Sequence, residues 1–144
     1  MKELRVQAIE HGTVIDHIPS ENTFKVIDIL HLNKASECVL IATNLPSKSL
    51  GSKGLVKVSG KTLTQDEANR IALVAPDATI NIIKDYEVVQ KIKVSLPERL
   101  VNVVRCFNPR CITNNEQIPA VLHVESQKPL RLRCHYCERT MTEL

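Results

Sequence analysis

The chain has 144 residues, enough for one domain or two small ones, and a net charge of +3 from 19 basic and 16 acidic side chains. That balance is too mild to imply nucleic acid, and the four rings of Phe24, Tyr86, Phe107 and Tyr136 are too few for a single-strand stacking platform. No apolar run approaches the roughly 18 residues of a transmembrane helix, and residues 1–10 lack the apolar core of a signal peptide, so a cytoplasmic chain with no membrane contact is expected.

Leu4, Val6 and Ala8 alternate with Arg5 and Gln7, the period of a half-buried strand. Gly12-Thr13 breaks the pattern, and residues 14–19 read as an extended loop. Ser20 or Asn22 is a candidate cap for a helix with Phe24, Ile27 and Leu30 on one face, ending near Leu32. Residues 38–43 are apolar throughout and predict a central strand, with Cys38 as a small buried hydrophobe. Residues 44–54 contain Pro46, two glycines and three serines and read as a loop. A short strand over 55–59 puts Val56 and Val58 on one face and Lys57 on the other.

Thr64-Gln65-Asp66-Glu67 is a capping box, in which the Thr64 hydroxyl and Glu67 carboxylate satisfy each other's backbone N–H. The helix it opens carries Ala68, Ile71, Ala72 and Ala75 as an apolar stripe, and Pro76 stops it. Residues 79–83 and 86–94 predict a hairpin about Lys84-Asp85. The order β-α-β-β-α-β plus one strand predicts an α+β, ferredoxin-like antiparallel sheet with two helices on one face.

Residues 95–99 look like a linker, which places domains at 1–96 and 97–144. Short strands are predicted at 101–105, 120–125 and 130–133, a segment too small to fold unaided. Cys106 and Cys111 stand four residues apart, Cys134 and Cys137 two apart, with twenty-two residues between the pairs. Two tight loops of this kind aim four thiolates at one tetrahedral centre, so a structural zinc ion and a small all-β, zinc-ribbon-like domain are expected. A reducing compartment favours metal over disulfides.

Two competitors are a redox role for Cys134 and Cys137, which lacks a surrounding thioredoxin-like βαβ, and replacement of one thiolate by His123 or His135. Four thiolates leave no open position to activate water, and the chain has no phosphate-loop, Gly-x-Ser-x-Gly or His-Glu-x-x-His motif, so a non-enzyme is expected. Asp16-His17 alone resembles a base and its orienter, although such a pair in a turn is more often solvated. With Lys57, Asn81, Tyr86 and Lys91 on or beside the sheet, it instead outlines a face for a polyanionic ligand with a ring. Lysines on an exposed sheet face are also commonly just solvated.

Residues 12–19 (GTVIDHIP), 44–47 (NLPS), 86–89 (YEVV), 95–99 (SLPER) and the four spaced cysteines together resemble the aspartate carbamoyltransferase regulatory chain, over essentially the whole length. The resemblance implies a non-catalytic subunit. Its N-terminal allosteric domain would bind nucleoside triphosphates, CTP inhibiting and ATP activating. It would pair into a regulatory homodimer, and the zinc domain would dock on the catalytic chain.

Carried over by motif, Ala8 and Ile9 would offer backbone groups to the base, and Asp16 and His17 would face ribose and phosphate. Lys57 would face the ribose, Asn81, Ile83, Tyr86 and Val88 would line the base and sugar pocket, and Lys91 would meet phosphates. Lys53 matches a position near a second nucleotide in some relatives. Asn108 and Glu138 match residues that contact the catalytic chain, whereas Arg110 and Ile92-Lys93-Val94 depart from the better-known members. Two other classes stand beside this reading. One is a zinc-ribbon nucleic-acid binder, kept open by Arg131, Arg133 and Arg139. The other is a free-standing small-molecule sensor.

Overall fold

In the computed structural model, which describes residues 9–142, the first strand begins at the very glycine expected to end one. β1 spans Gly12–Pro19, so residues 14–19 are strand and not loop; the strand expected over 4–10 lies largely outside the described residues. Gly12 has φ +145°, and a Cβ there would sit 2.1 Å from the Val58 carbonyl oxygen. Glycine is what lets β1 close onto the end of its neighbour, a strand role that local composition does not advertise.

A 3-10 turn over Ser20–Asn22 leads into α1, Thr23–Ile29. Neither Ser20 nor Asn22 caps it through its side chain. Instead the Thr23 hydroxyl donates back to the Ser20 carbonyl at 2.8 Å, and the Asn22 amide donates to the Val74 carbonyl at 2.8 Å. The buried stripe is Thr23, Val26, Ile27 and Leu30, while Phe24 is 62% exposed. Ile27 and Leu30 are thus buried as expected, and Thr23 and Val26 take the place on that face expected for Phe24.

β2 spans Val39–Ser47 and β3 Gly51–Ser59, a hairpin through most of the segment that reads as a loop. β2 is an edge strand and Cys38 is exposed, correcting both the central placement and the buried thiol. An edge position also explains why Pro46 is tolerated.

The capping box forms as expected: Thr64 Oγ1 accepts from the Glu67 N–H at 3.2 Å, and Glu67 Oε1 accepts from the Thr64 N–H at 3.2 Å. The helix it opens, α2, spans Gln65–Ile71 and so ends earlier than expected: residues 72–74 close three-residue turns onto Asn69, Arg70 and Ile71 before Pro76 is reached. Ala68, Ile71, Ala72 and Ala75 are all buried. β4 (Thr79–Lys84) and β5 (Glu87–Lys93) form the expected hairpin.

These strands make one antiparallel sheet in the order β2-β3-β1-β4-β5. The split βαβ order follows because the β2–β3 hairpin folds back and inserts β3 against β1. Ile15, Val56, Val58, Ile80 and Ile82 are buried on the face covered by α1 and α2, beneath Val26, Ile27, Ala68 and Ile71. Among the described residues the other face has no helix.

The chain divides into two compact units, Met1–Ser95 and Leu96–Leu144. The second holds a four-stranded antiparallel sheet in chain order, β6 (Arg99–Val101), β7 (Val121–Gln127), β8 (Leu130–Cys134) and β9 (Thr140–Met141), with one short helix, α3 (Ile112–Asn115). β6 starts within the expected linker and ends before 102–105, where Asn102 turns the chain at φ 61°. Leu100, Ala120, Leu122 and Leu132 form its small core beside Cys106, Cys111 and Cys134.

Candidate functional site

Two features of the described residues stand out: a cluster of sulfurs in the second unit and a polar helix-free face in the first. In the second unit Cys111 precedes α3, Cys134 ends β8, and Cys137 lies in the turn before β9. The Sγ atoms of Cys106 and Cys137 are 3.6 Å apart, as are those of Cys111 and Cys134, and all four lie within 4.8 Å of one another. A tetrahedral zinc with bonds of about 2.3 Å has sulfur–sulfur edges of about 3.8 Å, so the quartet fits that ion. A disulfide needs about 2.05 Å, and the five cysteines are free thiols.

Neither histidine competes for the metal. His123 Nε2 and His135 Nδ1 face each other at 3.0 Å.

The knuckle around Cys106 and Cys111 is held by polar groups that spacing alone does not reveal. Thr113, fully buried, donates from Oγ1 to the Cys111 sulfur at 3.3 Å. Asn114 Nδ2 donates to the Cys106 and Asn108 carbonyls, each at 2.8 Å, and Asn115 Nδ2 donates to the Pro109 and Cys111 carbonyls at 3.0 and 2.9 Å. The amides that follow Cys111 are the sequence trace of this frame.

As thiols, the four sulfurs divide. Burial pushes Cys106 up to about 12 and also raises Cys134, whereas the Thr113 hydroxyl brings Cys111 down to about 6. Burial works to raise Cys137 as well, but the Arg139 amide and the Asn108 side chain outweigh it and hold this thiol low. Crowded ionisations oppose one another unless a cation joins them.

On the helix-free face the strand registers align the polar residues. Lys57 on β3 pairs with Val14 on β1, Val14 with Asn81 on β4, and Asn81 with Lys91 on β5. This row is Lys57–Val14–Asn81–Lys91. The next row brings Asp16, Thr79 and Lys93 into line, and the row on the other side brings Gly12, Ile83 and Val88. Tyr86 stands in the β4–β5 turn with φ 64° and is 66% exposed; its N–H donates to the Glu10 carbonyl at 3.0 Å. Ile9 is buried nearby in sequence, and Ala8 lies outside the described residues.

β1 bulges between Ile15 and Ile18, which places His17 in the left-handed region at φ 59°. The bulge turns its ring back so that Nδ1 meets Thr79 Oγ1 at 3.0 Å. Asp16 accepts the His17 N–H at 2.6 Å and forms a half-buried ion pair with Lys53 at 2.9 Å. Burial lowers the Lys57 ammonium's pKa and Asp16 partly restores it. Thr79, Lys93 and the Lys53–Asp16 pair therefore belong to the neighbourhood of the expected residues. Strand alternation could have identified the first two.

Asn108 and Glu138 sit at the two knuckles. Asn108 turns inward, its Oδ1 accepting from the Arg110 N–H at 3.1 Å and its own N–H donating to the Cys106 sulfur at 3.5 Å. Glu138 is exposed at φ 62°.

Residues 4–95 match the family model of the aspartate carbamoyltransferase regulatory chain, allosteric domain, and residues 98–144 match its metal binding domain. The aspartate carbamoyltransferase regulatory chain of Pyrococcus horikoshii is 56% identical over 145 residues, covering 99% of this chain and 95% of its own. Its Pyrococcus abyssi counterpart is 55% identical with the same coverage, and that of Parabacteroides distasonis 46% identical over 99% of this chain and 92% of its own. No helix among the described residues is long and apolar enough to cross a membrane. With both domains matched and four thiolates set to hold one structural zinc, the chain belongs to the aspartate carbamoyltransferase regulatory chain family and is a non-catalytic regulatory subunit with an allosteric and a metal-binding domain.

Proposed function

We propose that the helix-free face of the first unit binds a nucleoside triphosphate, CTP or ATP, and that this binding biases the quaternary state of an aspartate carbamoyltransferase assembly. The observation that supports it most is the registered row Lys57–Val14–Asn81–Lys91, flanked by Asp16 and His17. The ammonium groups of Lys57 and Lys91 answer ribose and phosphate oxygens, and Asp16 and His17 add an acceptor and a ring nitrogen for ribose and phosphate. Asn81, Ile83, Tyr86 and Val88 line the base and sugar, with backbone groups of Ala8 and Ile9 at the base edge.

The domain of residues 1–96 pairs with a second copy as a homodimer, and the zinc domain of residues 97–144 docks on the catalytic chain near Asn108 and Glu138. Free thiols suit the reducing cytoplasm. Nucleotide shifts the assembly only by its differential affinity for two states, typically about 1–3 kcal/mol.

Lys91→Ala tests the site. Titration calorimetry should show triphosphate affinity falling about tenfold while zinc stays at one per chain, because the phosphate partner removed and the sulfurs belong to different units. Unchanged CTP and ATP affinity would overturn the assignment. Co-purification with the catalytic chain, with and without a zinc chelator, tests the docking; no complex in the presence of zinc would defeat it.

A further inference from the structure

The exterior of the second sheet carries two imidazoles that neither the zinc centre nor the nucleotide face employs. His123 lies on β7 opposite Arg133 of β8, and the His135 N–H donates to the Val121 carbonyl at 2.9 Å. The two histidines are thus diagonal neighbours across the ladder, on the face away from Leu122 and Cys134, a separation that long or ring side chains bridge. His123 Nε2 and His135 Nδ1 close to 3.0 Å, with ring centroids 5.2 Å apart and planes at 45°. Tyr136 braces His135 edge-on, at 5.2 Å and 88°.

We propose that His123 and His135 form a bidentate site for a divalent transition ion of the nickel or copper type, separate from the four-cysteine zinc centre. Two nitrogens bound cis to such an ion at about 2.1 Å stand about 3.0 Å apart in octahedral geometry. The pair already holds that spacing. In the hydrogen-bonded pair one ring donates to the other's lone pair. A tautomer shift of the donor ring then presents both lone pairs without loss of a proton. Water fills the remaining positions.

Arg99 and Arg133 flank His123 along its row and oppose a cation, but Glu125, two residues along β7, holds an oxygen 3.7 Å from Arg133 Nε and offsets that charge. The site is open to solvent, and its donors are the type that intermediate divalent ions prefer over the oxygen ligands of magnesium or calcium.

The test is calorimetric titration of Ni²⁺ into the untagged, zinc-loaded full chain at pH 7.5 in a non-chelating buffer, with zinc measured in the same samples. One nickel per chain is expected, with affinity reduced at least about tenfold by His123→Gln and by His135→Gln and unchanged by His11→Gln. Zinc should remain at one per chain throughout, which reports that the variants are folded. Absence of nickel binding, equal binding by the His123 or His135 variants, or nickel uptake matched by zinc release would each overturn the site. So would loss of both metals from both variants.

Discussion

Replacing Gly54 by alanine would set a methyl carbon 1.9 Å from the Thr23 hydroxyl oxygen, 2.9 Å from its Cβ and 3.0 Å from its Cγ2. Real Cβ contacts stop near 3.0 Å, so one side must retreat by about 1.1 Å. Thr23 has little room to do so. It is fully buried, and its hydroxyl donates to the Ser20 carbonyl at 2.8 Å and lies 3.3 Å from Thr43 Oγ1. Overpacking of this kind costs about 1–3 kcal/mol, and displacing a hydrogen-bonded hydroxyl adds about 1 kcal/mol.

A total near 3 kcal/mol lowers the Tm of a unit this size by about 12–24 °C. Gly54 also pairs with Ile18, just past the bulge that presents Asp16 and His17, so triphosphate affinity should fall with stability. Thermal unfolding of the zinc-saturated chain, with Gly54→Ala placed in wild-type and Thr23→Ala backgrounds, forms a double-mutant cycle. In the Thr23→Ala background the alanine should cost no more than about half as much. An equal cost in both backgrounds, or a Tm drop under about 4 °C in the wild type, would refute the steric reasoning.

Two further outcomes concern the metal centre. Cys134→Ser should yield a chain without stoichiometric zinc, in which amide-exchange protection of β7 and β8 is lost while that of β1 and β4 persists, because zinc supplies on the order of 10–16 kcal/mol to small zinc folds; a strong chelator should do the same to the wild type, and full zinc occupancy in the variant would contradict it. Thr113→Val removes the donor that most strongly lowers the Cys111 pKa. Zinc affinity by competition with a chromophoric chelator should drop about 10–100-fold. On acidification the variant should release zinc at a higher pH than the wild type, since a raised thiol pKa lets protons displace the metal earlier.

In a regulatory subunit these perturbations separate two jobs. Gly54 and Thr23 bear on where the bulge of β1 stands, and so on the face expected to meet nucleotide. Cys134 and Thr113 bear on the fold of a domain whose core, reduced to Leu100, Ala120, Leu122 and Leu132 beside the sulfurs, is too small to stand without its ion.

Local chemistry alone determined the α2 capping box and its stripe, the β4–β5 hairpin, the alternation of Val56, Lys57 and Val58, and the four zinc ligands. Each of these rests on residues close in the chain, or on donor groups whose chemistry leaves few alternatives. Tertiary structure alone decided what depends on distant partners. Gly12 opens a strand because the Val58 carbonyl must pass where its Cβ would be, and Phe24 faces water because α1 turns Thr23 and Val26, with Ile27 and Leu30, to the buried side. Residues 38–43 lie at the sheet edge because the β2–β3 hairpin gives the inner place to β3, and an apolar run reads the same in either position. The ligand face follows from the same pairing. Lys57, Asn81 and Lys91 are separated by up to 34 positions, and only the registers of β3, β1, β4 and β5 bring them into one row.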